Sequence, residues 1–267
     1  MIHLELSENG GKILKNILMP VLSLSVILLG LSACGSSNES KQINNSSESN
    51  NQTVTKEVQQ EEAKAQITDQ VYYDWIDEST GTSTITSYAV IKNTGKVDAD
   101  VTQTKVTYLD SEGAVIGTSS ANGLFKNLTP SIIEPGEIAY LAIHEDKGEE
   151  FKDLKDVEFE VSPVVVDIKI NKLEASKTKV IKTDDWGGDV HVTGFLQNKG
   201  DTDANDVEAA AGLYDENDKF LGALLVGSDD TTTVPAGSKS SIQVGVPSFP
   251  SDHIKDVDHA KIRAISF

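Results

Sequence analysis

The chain repeats itself. Asn93-Thr94-Gly95 returns as Asn198-Lys199-Gly200, 105 residues on, and the same offset carries Asp98-Ala99 to Asp203-Ala204, Asp110 to Asp215 and Gly117 to Gly222. Past a variable loop, Pro135 returns as Pro235 and Lys155-Asp156-Val157 as Lys255-Asp256-Val257, now at an offset of 100, so one loop of the second copy is shorter. Correspondence over this distance marks a tandem duplication, and it demands a fold that about 100 residues complete twice.

Each copy reads as β structure. Residues 82–91 and 102–108 are rich in Thr, Val, Ile and Tyr, with Thr102, Thr104, Val106 and Tyr108 on one face of an alternating strand. Val207, Ala209, Ala211 and Leu213 hold the matching positions in the second copy, so one face of this strand is expected to be buried. Turn chemistry separates the strands: Asn-x-Gly, then Asp110-Ser111-Glu112-Gly113 or Asp215-Glu216-Asn217-Asp218, then Pro135-Gly136 or Pro235-Ala236-Gly237. Single helical turns are expected at 150–154 and 251–254. About seven short strands per copy predict an all-β protein of two tandem immunoglobulin-like β-sandwiches, at 67–163 and 164–267. The link around Ser162-Pro163-Val164 is too short for free tumbling, which predicts a preferred angle between the copies.

The N-terminal region has another character. Lys12 and Lys15 precede an apolar run at 17–31, interrupted only by Pro20, serines and Gly30. The run is shorter than the ~20 residues of a spanning helix and ends in small residues, as an export signal does. Leu31-Ser32-Ala33-Cys34-Gly35 resembles the lipobox of bacterial lipoproteins. The resemblance implies a signal peptide at 1–33, a diacylglyceryl group on the Cys34 thiol, and a protein anchored in the cell membrane on its extracytoplasmic face. Each buried methylene contributes ~0.8 kcal/mol, so two or three chains hold where one does not. An ordinary secretory signal with a coincidental cysteine is the alternative. The following stretch, 34–66, is Ser, Asn, Gln, Glu and Lys with Ile43, Val54 and Val58 as its large aliphatics, and is expected to be a disordered tether.

Composition narrows the chemistry. A net charge of −19 argues against nucleic acid, which selects clustered Lys and Arg. One cysteine makes no intramolecular disulfide and no cysteine-ligated metal centre. No Gly-x-Ser-x-Gly elbow, His-Glu-x-x-His pair or phosphate-cradling glycine loop occurs, so no catalytic residue, cofactor or metal ligand is assigned. Asp201-Thr202-Asp203-Ala204-Asn205-Asp206 opens like a calcium loop but has Asp206 and Gly212 where such a loop needs glycine and a bidentate acid. Asp184-Asp185 and Asp229-Asp230 read as exposed loop charge. His144, His191, His253 and His259 have no metal-ligand spacing on a helix, and Trp75 and Trp186 read as core or rim packing, or else as an aromatic platform for sugar or peptide. A glycosidase-type carboxylate pair is assembled in space and leaves no local trace, which keeps a cell-envelope hydrolase open.

Gly194-Phe195-Leu196-Gln197-Asn198-Lys199-Gly200, running on to Leu213-Tyr214-Asp215 and Phe220-Leu221-Gly222, resembles the FxLYD domain of bacterial surface and secreted proteins. Residues 88–117 repeat it more loosely, with Val106 and Ala211 where the family often has Phe and Tyr108-Leu109-Asp110 for Leu-Tyr-Asp. The resemblance implies an immunoglobulin-like fold and an extracytoplasmic setting, and no catalytic activity. The function expected is therefore a non-catalytic surface lipoprotein offering two sandwiches to an envelope protein or glycan, with a hydrolase or a purely structural spacer as alternatives.

Overall fold

The computed structural model describes residues 61–78, 80–122, 127–183, 189–227 and 233–267. The expected export signal, Cys34, the expected tether up to residue 60, Asp184-Asp185, Trp186 and Asp229-Asp230 lie outside the described residues. Among the described residues, ten strands form the first copy: β1 (Ala65–Asp77), β2 (Thr82–Asn93), β3 (Ala99–Asp100), β4 (Thr104–Leu109), β5 (Val115–Ser120), β6 (Leu128–Thr129), β7 (Ile132–Ile133), β8 (Ile138–Asp146), β9 (Asp156–Val161) and β10 (Val164–Val165). The second has β11 (Asn171–Thr183), β12 (Asp189–Asn198), β13 (Glu208–Tyr214), β14 (Phe220–Leu225), β15 (Lys239–Val244), a single helical turn α1 (Ser251–Ile254) and β16 (His259–Ser266). The protein is all-β.

In the first copy, antiparallel sheets β1-β2-β8-β6 and β5-β4-β9 face each other, and the chain crosses between them after β2, β5 and β8 in immunoglobulin-like fashion. The second copy repeats this with β11-β12-β15 and β14-β13-β16, its two sheets joined where Asn171 and Lys172 at the start of β11 pair with Ser266 and Ile265. The duplicated turns have duplicated bonds. Asn93 Nδ2 donates to Val97 O and Ile133 O while its Oδ1 accepts from Gly95 N; Asn198 does the same with Thr202, Val234 and Gly200. Asp110 Oδ1 accepts from the amides of Glu112 and Ala114, and Asp215 Oδ1 from those of Asn217 and Lys219. Gly113 and Asp218 both take positive φ in these turns, the conformation that Gly and Asp tolerate best.

Packing departs from two separate cores. Period-2 alternation sends Ile85, Ala89 and Ile91 of β2 and Ala139, Leu141 and Ile143 of β8 into the first copy's core with Val106, Tyr108 and Val157. The intervening Tyr88, Val90, Tyr140 and Ala142 join the core of the second copy. All seven residues of β13 are buried, against the one buried face expected, because Ala210, Gly212 and Tyr214 pack outward on the first copy. The four sheets are thus stacked, and the two inner layers come from different copies.

Several boundaries move. The last two residues of the expected tether, Ala65 and Gln66, pair with Asn93 and Lys92 and so belong to the first sandwich. Val164 and Val165, placed in the second domain, pair with β3 of the first, where they satisfy an otherwise open strand. Trp75 lies inside β1. Ile133 pairs with Ala99 as Val234 does with Ala204, so Ala236 and not Pro235 stands in the place of Pro135. Lys155 N donates to Leu109 O as Asp258 N does to Tyr214 O, which breaks the match of Lys155-Asp156-Val157 with Lys255-Asp256-Val257. The different helical turns before the last strand take up the slack.

Candidate functional site

The seam between the copies gathers a cluster of aromatic side chains: Tyr73, Tyr88, Tyr140, Tyr214, Phe220 and Phe249. Tyr73 of β1 donates from its hydroxyl to Leu221 O at 2.9 Å and lies 4.5 Å, centroid to centroid, from the His253 ring. Tyr88 packs on Phe249, and Tyr140 stacks on Phe220 with its hydroxyl 3.1 Å from that of Tyr214. At the seam's edge the Ser131 amide donates to the Glu208 carboxylate at 2.8 Å. Burial drives these phenols upward: Tyr73 to about 12, and Tyr88 and Tyr140 well above the ordinary range.

Beside this seam a cleft of about 480 Å³ opens. The fold makes it: β16 pairs with β13 on one side along 259–265, but β11 leaves its other side after Lys172, so a stretch of β16 edge stays uncovered. The β7–β8 turn of the first copy forms the opposite wall. Its floor is apolar, with Ile132, Ile138, Leu173 and Ile262, and its rim is charged, with Glu134, Glu137, Lys172 and Arg263. Lys172 Nζ lies 2.7 Å from Glu134 and 2.9 Å from Glu137, an ammonium from one copy held by two carboxylates of the other. Its hydrogen bond lowers the Glu137 pKa, and the bond to Glu134 raises that of Lys172. A general acid needs the opposite shift. Both carboxylates hold the Lys172 ammonium, and Arg263 Nε approaches Glu137 at 3.7 Å.

The side chains singled out from sequence fall elsewhere. Asp203 and Asn205 spend oxygens on a loop distant in sequence, accepting from Ala236 N and Thr233 Oγ1. Among the described residues no three acidic, His or Cys side chains converge as metal ligands do. Trp75 donates from Nε1 to Thr86 Oγ1 at 2.9 Å and meets the His144 ring edge-on. His259 stacks on Tyr214 between Asp218 and Asp258, and His191 sits on the second copy's outer face. Sequence reasoning missed the cleft residues, although one signal was present: Arg263 is the only arginine in the chain.

Fold and cleft define a tandem β-sandwich protein whose copies share a core and flank a groove. No family model matches the chain, and no curated protein matches it. Among solved structures, a β-glucuronidase from glycoside hydrolase family 2 is similar at 14% identity and a TM-score of 0.22, the likeness covering 69% of this chain and 20% of that one. So loose a superposition carries no inference about activity.

Proposed function

We propose that the chain is a non-catalytic surface lipoprotein, anchored by lipid on Cys34 at the extracytoplasmic face of the cell membrane, whose two FxLYD-like sandwiches act as one binding body toward an envelope protein or glycan. The observation that supports this most is the core shared between the copies, with Tyr88 and Tyr140 of one buried in the other. A fixed pair of sandwiches presents a preformed groove and loses little entropy on binding, whereas a spacer has no need of a groove. The lowered Glu137 favours holding over proton transfer.

Metabolic labelling with palmitate and membrane fractionation of wild type and Cys34→Ser test the anchor, and a cross-linked pull-down from envelope extract tests the binding body. Label and membrane retention lost with Cys34→Ser, and a partner retained by the intact chain, are expected. Labelling unaffected by the substitution removes the anchor; glycan turnover abolished by Glu134→Gln makes the groove catalytic instead.

A further inference from the structure

Resting on that reading, we propose that the cleft between the sandwiches binds a small ligand made of an apolar body and one carboxylate, with Arg263 as the carboxylate's partner. Three observations converge there. Ile132, Ile138, Leu173 and Ile262 supply an apolar floor, and about 480 Å³ is room for such a body. Arg263 stands on that wall as the one arginine of a chain carrying a net charge of −19. Its Nε is buried with no hydrogen-bond partner among the described residues, its approach to Glu137 at 3.7 Å is longer than a hydrogen bond, and its side chain as a whole is 43% exposed.

The neighbouring cations are already engaged. Lys172 is held by Glu134 and Glu137, and Lys261 by Asp218 at 2.7 Å while lying over the Tyr214 ring. Among the described cations lining the cleft, the guanidinium, with only its long approach to Glu137, is what remains for an incoming anion. The exposed end of its planar fork fits a carboxylate in two parallel bonds. Glu134 and Glu137 line the same rim, so a ligand with two negative charges is disfavoured. The apolar floor rejects a strongly hydrated anion. A short acyl chain and the C-terminal residue of an apolar peptide share the chemistry that remains.

The test is a titration of the purified full chain in lipid nanodiscs, against empty nanodiscs, with hexanoate, N-acetyl-leucine and N-acetyl-leucinamide, followed by the NMR signals of Arg263 and the cleft isoleucines. Saturable binding of either carboxylate, weakened at least about tenfold in the amide and in Arg263→Gln, is the expected result, that factor being the worth of one charge-assisted hydrogen bond. Whichever of hexanoate and N-acetyl-leucine binds more tightly tells the acyl from the peptide source. Arg263→Lys keeps the charge without the fork and should bind at an intermediate level. Equal binding of acid and amide, no change in Arg263→Gln, or signals moving only outside the cleft would overturn the proposal. A titration that fails in this way while the intact chain still captures a partner from envelope extract would leave the binding body standing while the cleft ligand falls.

Discussion

At position 212 the absence of a methyl group lets the two copies meet. A Cβ on Gly212 would overlap the Tyr140 ring of the other copy, and one on Gly222 would press on Phe249 and Tyr88. The counterpart of Gly212 in the repeat is Thr107, partly exposed on the outer face of β4. Gly212→Ala should therefore cost about 1–3 kcal/mol by overpacking, and Thr107→Ala should stay within about 0.5 kcal/mol. Urea midpoints of the two variants check this; equal midpoints would mean that the seam yields freely at Tyr140. The Asn93 and Asn198 turns are the contrary case. Each asparagine is fully buried and satisfies partners mostly a few residues away, so Asn-x-Gly was readable as a turn from sequence. Gly212 was not, because the ring that demands it belongs to a distant strand.

Equivalent strands diverged once their outer faces met different surroundings. Lys105 and Thr107 on the outer face of β4 correspond to Ala210 and Gly212 on β13, and Glu158 and Glu160 keep the outer face of β9 charged. A small, apolar face docks on the neighbouring sheet, while a charged one stays solvated and blunts further stacking. Between elements, Lys172 of β11 clips Glu134 and Glu137 beside β8, and this tie depends on pH. The Glu137 pKa is lowered, so its contribution is present above the ordinary 4.5 and disappears as pH falls through the depressed value. The Lys172 pKa is raised, so its contribution is present below the ordinary 10.5 and disappears as pH rises through the elevated value. Lys172→Met should thus lower Tm at neutral pH and converge with wild type in acid. At side-chain exposures of 48% and 34% the loss should remain below about 1 kcal/mol. A Tm difference that persists unchanged into acid would assign the effect to the lysine's packing.

For the whole molecule, the shared core predicts that the copies unfold together. Tyr88 and Tyr140 cannot leave the seam without exposing both the first copy's sheet and the second copy's core, so calorimetry should show one transition. Five of the six tyrosines, Tyr72, Tyr73, Tyr88, Tyr108 and Tyr140, are raised above 10.0, chiefly by burial. The unfolded chain releases these protons first, so stability holds below pH 10 and declines as pH rises beyond it. Phenolate absorbance should therefore rise in step with loss of near-ultraviolet dichroism; most of it appearing in a still-folded protein would contradict this burial. The duplication, the strand alternation and the turns were legible because each is written in residues near one another along the chain. From them came the all-β class and the sandwich pair. The stacking of four sheets, the second buried face of β13 and the cleft at Arg263 were decided only in the tertiary structure, because a residue's pattern shows that a face is apolar or small but not which distant face will cover it.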